Sequence, residues 1–258
     1  MTRFCKQVAR SLMPGNVTGQ ILLFLLLSLT SLSAFPVNAE TLTEFNMQLE
    51  AQRFRPFNVT MSGSQSLVKL PNQNWQFQLV ADGSWAGIDE TSEFAMADGE
   101  VVPVHFKSDS HFGFFSEKKE ITFDHQLQKA LVIVDKDSRT VDLEPQVFDP
   151  HSYQIYLANQ IQAGKKTIEF KVIRYKRPLI YRYQVIGDDT VQTSAGKLAT
   201  VKVKQIHGID EKEDQYVWLA KDFGYIPVQY EHYRKNKIVD RIRMVSGTFN
   251  SKPITGNN

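Results

Sequence analysis

The chain has 258 residues, of which 42% are hydrophobic and 22% charged, with 30 basic against 28 acidic side chains and one cysteine. So even a balance leaves no electrostatic footprint for nucleic acid. Cys5 lies among the first ten residues, so the rest of the chain offers no thiol nucleophile, no Cys-ligated zinc site and no iron–sulfur cluster.

Residues 1–39 have the three-part layout of a secretory signal. Arg3, Lys6 and Arg10 form a positive start, Ile21 to Leu27 open an apolar stretch that runs to Phe35, and Val37-Asn38-Ala39 put small residues at the cleavage positions. Cleavage is expected between Ala39 and Glu40. The competing reading is an uncleaved anchor, but a spanning helix needs about 20 predominantly apolar residues, and this run is shorter and closed by Pro36. After cleavage no transmembrane segment is expected. The 219 residues that remain carry 27 basic and 28 acidic side chains, a length that fits one β-rich domain over residues 40–250.

From there the dominant signal is alternation with a period of two, the mark of strands with one buried face. Trp75, Phe77 and Leu79 alternate with Gln76 and Gln78. Ile168, Phe170 and Val172 follow the same rule, as do Tyr181, Tyr183 and Val185, then Val201 and Val203. Val217 and Leu219 are set to face one side and Tyr216 and Trp218 the other; Ile226, Val228 and Tyr230, then Ile242 and Met244, continue the pattern. Turn residues separate these runs at Asp82-Gly83, Asp98-Gly99, Asp135–Ser138, Gly187-Asp188-Asp189, Ser194-Ala195-Gly196 and Lys235-Asn236-Lys237. Close spacing of strands and turns predicts hairpins and an antiparallel sheet.

One helix is predicted over residues 150–163. Asp149 is a good N-cap, Pro150 suits the first position, and Gly164 supplies the stop. Tyr153, Tyr156, Leu157, Gln160 and Ile161 fall on one face. The polar tail, residues 251–258, is expected to be disordered. The fold class is therefore all-β and mainly antiparallel: a large curved sheet or partly closed β-barrel with one helix packed across it.

No catalytic, metal or cofactor-binding residues are singled out. His105, His111, His125, His151, His207 and His232 form no H-x-H or H-E-x-x-H pair. No nucleophile elbow or phosphate loop occurs. Asp188-Asp189 reads as turn chemistry rather than as paired catalytic acids. Charge is uneven: six acidic residues lie between Asp82 and Glu100, and seven basic ones between Lys165 and Arg182. The plain reading is solvated sheet faces; the sharper one is a basic patch for an envelope protein, lipid or polysaccharide. The aromatic strands allow two readings as well, a packed core or the wall of a cavity for an apolar ligand.

The order of motifs in the second half resembles the DUF3108 family of uncharacterised bacterial exported proteins. The residues are Asp149-Pro150-His151-Ser152, Tyr183-Gln184-Val185-Ile186-Gly187 leading to Thr193-Ser194-Ala195-Gly196, Val217-Trp218-Leu219-Ala220-Lys221-Asp222, and Tyr225-Ile226-Pro227-Val228. The resemblance implies a Gram-negative periplasm and brings no catalytic residues. Three functions stay open at this point: a non-catalytic envelope protein binding a lipid or other amphipathic molecule, an interaction module docking through a basic sheet face, and an envelope-polymer hydrolase.

Overall fold

The structure, a computed structural model, describes residues 42–55, 58–83, 86–174, 177–206 and 213–257. The expected signal segment and the Ala39/Glu40 cleavage position lie outside the described residues.

Eight strands come first: β1 (Phe45–Arg53), β2 (Val59–Lys69), β3 (Trp75–Asp82), β4 (Ala86–Ala97), β5 (Glu100–Phe112), β6 (Phe115–Asp124), β7 (Lys129–Val134) and β8 (Asp137–Asp142). A short strand, β9 (Val147–Phe148), leads into the helix α1 (Ser152–Gln162). Six more strands follow: β10 (Thr167–Ile173), β11 (Pro178–Thr193), β12 (Gly196–Ile206), β13 (Glu213–Ala220), β14 (Ile226–Arg234) and β15 (Lys237–Phe249). The last is β16 (Lys252–Pro253).

All belong to one sheet, ordered β8-β7-β6-β5-β4-β3-β2-β1-β15-β14-β13-β12-β11-β10-β9, with β16 on β15. Two antiparallel meanders are joined where β1 meets β15; among the described residues only β9 and β10 run parallel. The sheet does not close by hydrogen bonds, since its ends are β8 and β9. The chain itself spans the gap: Leu143 N–H donates to Gln128 at 2.9 Å, and Lys171 N–H donates to Gln146 at 2.9 Å. Side chains from both ends meet there, with Phe106, Ile121, Val132 and Val141 packing with Val147 and Ile173.

Alternation sorts the side chains as expected. Trp75, Phe77, Ile168, Phe170, Val172, Tyr183, Val201, Val203, Ile226, Val228 and Met244 are all buried. The helix lies against this core through Ile155, Tyr156, Leu157 and Ile161. It starts two residues later than predicted, but Asp149 still satisfies its first turn, and Gly164 at φ 84° ends it. Only glycine takes that backbone conformation without strain.

Two expectations are corrected. Gly187-Asp188-Asp189 is no turn but the middle of β11, where the pairing with β12 slips between Val185 and Gly187. Gly187 at φ 151° accommodates the bulge that the extra residue Ile186 creates. Residues 251–257 of the tail are docked and not disordered. Ile254 is 2% exposed, its N–H donates to Gly247 at 2.9 Å, and Asn257 bridges to Lys197. One apolar side chain and a backbone ladder outweigh a polar composition.

Candidate functional site

Cross-strand register builds the interior in layers. One layer reads Gln65, Leu79, Glu90, Ser108, Lys119 and Val134 across β2 to β7. Next to it runs a layer of Leu67, Phe77, Ser92, Phe106, Ile121 and Val132. The first is polar in a largely apolar interior, and the start of α1 comes down onto it.

Asp149 is fully buried at that junction. Its Oδ1 accepts from His151 N–H at 2.8 Å and Ser152 N–H at 3.0 Å. Its Oδ2 accepts from the hydroxyls of Ser92 at 2.9 Å and Ser152 at 2.6 Å. One carboxylate thus caps the helix and ties it to β4. His151, 5% exposed, stacks on Phe77 with ring centroids 4.6 Å apart. Its Nε2 lies 2.7 Å from Glu90 Oε2, and Gln154 Nε2 lies 3.2 Å from its Nδ1. An Nε2–H imidazole satisfies both contacts, donating to Glu90 and accepting from Gln154.

Burial by itself would raise the Glu90 carboxyl, but the hydrogen bonds it accepts from His151 and from the Ser108 hydroxyl at 2.9 Å, with the Lys119 ammonium, together hold it below its ordinary value. Asp89, its neighbour in the chain, points to the opposite face, as adjacent strand residues must. The three hydroxyls here, Ser92, Ser108 and Ser152, all donate to carboxylates and none to the imidazole. The geometry is that of a structural joint.

The other histidines are dispersed. His105 and His111 lie on the outer face of β5; His105 meets Glu120 at 2.8 Å, and the ring of His111 lies across Gly87. His125 contacts the Pro103 carbonyl at 2.6 Å, and His232 lies 3.2 Å from Asp240. His207 is outside the described residues. Among the described residues no three His, Cys, Asp or Glu side chains converge as a metal site. Asp188 pairs with Lys221 at 2.9 Å, and Asp189 accepts from the Trp218 indole at 2.8 Å, a bond that lowers its pKa.

The aromatic strands form packed core rather than cavity wall. Tyr153 stacks on Phe170 at 5.3 Å and Phe148 meets Tyr156 at 4.8 Å. Burial pushes the Tyr153 phenol up to about 12 and the Tyr183 phenol well above its ordinary value. The basic run is partly neutralised: Lys171 pairs with Glu144 at 2.5 Å and Arg182 donates to Glu169 at 2.7 Å.

Open space lies instead beside the unclosed end of the sheet. A cleft of ≈ 790 Å³ is lined by Glu117, Val134, Asp137, Arg139 and Arg177, among others. A second, of ≈ 380 Å³, adjoins it over Val132 and Val134. Valines form the floor and charged side chains the rim. Arg139 lies on the same face as Val132, its partner across the β7–β8 ladder, and is exposed there.

Comparison with known proteins gives four results. The family described as "Protein of unknown function (DUF3108)" matches residues 50–236. A β-barrel-like protein of a domain of unknown function, DUF1849, from Brucella abortus is similar in fold, with TM-score 0.55 at 11% identity, covering 81% of this chain and 98% of that one. The Pseudomonas aeruginosa MucA/MucB complex aligns at TM-score 0.34 and 10% identity over 84% of this chain and 55% of that chain, too weakly for a comparison of folds. No curated protein matches the chain. Among the described residues no helix is long and apolar enough to cross a membrane.

Proposed function

The chain belongs to the DUF3108 family, and we propose that it is a non-catalytic protein of the bacterial envelope that holds an amphipathic molecule such as a lipid at the unclosed end of its sheet. The observation that carries this reading is the cleft, with Val132 and Val134 below and a rim on which Lys136, Arg139 and Arg177 alternate with Glu117, Asp135 and Asp137, an amphipathic lining with donors for a polar headgroup. Guanidinium groups pair bidentately with phosphate or carboxylate, and a valine floor takes an apolar chain. The export signal read from residues 1–39 supports a periplasmic location.

The test is native mass spectrometry of the protein purified from periplasm, with lipid extraction of the same sample. A co-purifying amphiphile at fixed stoichiometry, lost in an Arg139→Ala/Arg177→Ala variant, is the expected result. A bare polypeptide mass for the wild type refutes the reading and turns the search to a protein or polysaccharide partner.

A further inference from the structure

The β5–β6 hairpin ends in Phe112-Gly113-Phe114-Phe115, and its three rings are 60%, 101% and 81% exposed. Phe112 pairs with Phe115 across a two-residue turn. Gly113 at φ 60° takes the first central position, where the tight hairpin turn demands a positive φ. The neck below is stiff. Gly87 on β4 has no side chain, which lets the His111 ring lie close against its backbone. Asp109 and Lys118 pair across the hairpin at 2.9 Å.

On its β7 side the hairpin overruns its neighbour. The ladder with β7 stops at Lys119 opposite Val134, and the β7–β8 turn is tied down where Asp135 N–H donates to Lys118 at 2.8 Å. Phe115 lies four residues further along β6, about 13 Å at the rise of a strand. The tip therefore overhangs β7, while on its other side Phe112 pairs with Ala86 at the start of β4, and its side chains have no polar atoms.

We infer that this tip is a membrane foot, whose three phenylalanine rings enter the interfacial region of a lipid layer. A contiguous apolar patch on a projecting element marks a contact surface. Three rings so exposed at one hairpin end would need a deep matching pocket in a protein, whereas a fluid lipid layer needs none. Insertion of apolar groups by about 5–10 Å into the headgroup boundary suits a tip of this height. Lys107 and Lys118 stand below it, offset by Asp109, Glu117 and Glu120, so the contact is apolar and not electrostatic. Glu117, two residues from Phe115, also lines the cleft. The foot thus places the arginine rim beside the lipid surface. The inference deepens the proposed function but does not depend on what the cleft holds.

The compact unit of residues 39–258 has its own core, so it is assayed without the apolar N-terminal segment, against vesicles of phosphatidylethanolamine and phosphatidylglycerol. The F112S/F114S/F115S variant should sediment with vesicles at least about tenfold more weakly than wild type, with the same melting curve. The F114W variant should shift to shorter emission wavelength on vesicles and be quenched by brominated acyl chains. Binding should persist in high salt, since screening removes only electrostatic attraction. Arg139→Ala/Arg177→Ala should still bind vesicles even where it has lost its ligand, which separates this inference from the cleft reading. Equal sedimentation of wild type and the triple variant, or F114W emission unmoved by vesicles, overturns it. So does a concentration-dependent dimer that the triple variant abolishes, because the rings then cover a second copy.

Discussion

Replacing Asp149 by alanine tests whether the helix is held by one buried carboxylate. The substitution removes the acceptor of two backbone N–H groups, at 2.8 and 3.0 Å, and of two hydroxyls, at 2.9 and 2.6 Å. A buried donor left without a partner costs about 1–3 kcal/mol. The two hydroxyls can turn toward other acceptors, while the two amides are fixed by the helix. Together with the lost cap, the expected loss is about 3–5 kcal/mol, a large part of a typical folding free energy of about 5–15 kcal/mol. Asp149→Asn keeps a carbonyl oxygen for the amides, and its new N–H groups can donate to the serine hydroxyls, so its cost should be about 1 kcal/mol. Urea unfolding followed by circular dichroism reads both. With a slope of about 2.5 kcal/mol per M, Asp149→Ala should lower the midpoint by about 1–2 M. A midpoint unchanged in Asp149→Ala, or lowered as far by asparagine as by alanine, refutes the reasoning.

Two further predictions follow from the same structure. Glu90 titrates below its ordinary 4.5 in the folded protein, so its contribution is full above about pH 4.5 and is lost as pH falls through the lower folded value. Glu90→Gln should cost about 1–3 kcal/mol at neutral pH and flatten the acid limb of a stability–pH curve; an acid limb as steep as that of wild type would show that Glu90 does not set it. Ile254→Ala should cost about 2–4 kcal/mol, and deletion of residues 251–258 at least as much; a deletion that leaves the melting temperature unchanged would mean that the docked tail holds nothing.

Much of the sheet was legible because each strand has one buried face. A period of two survives in the sequence wherever that is so, as at Trp75-Phe77 and Ile168-Phe170-Val172. The helix was legible from its ends, since Asp149 and Gly164 do local jobs. Gly187-Asp188-Asp189 misled because a bulge and a turn ask for the same residues. The tail misled because its hold is non-local: Ile254 and the close packing of Gly256 on Gly196 depend on strands far back in the chain. The Glu90–His151 pair spans 61 positions, and no local pattern announces it. The F-G-F-F tip was there to be read, since a Gly-X pair between strand-like runs signals a hairpin and the flanking rings break alternation at its end.

The join between β1 and β15 sets the order in which the molecule can be completed. Phe45 is paired with Phe249, so the first strand made waits for nearly the last. Each meander can zip from its own tight turns, but the two halves unite only after a very long loop has been closed. Contacts so distant in sequence make for slow folding. Until β15 arrives, β1 carries a bare edge along which a stray strand can pair, and a chain interrupted anywhere before Lys237 never covers it. The stretch of sequence most in need of a chaperone is therefore the beginning of the domain, and its natural guardian is its own far end.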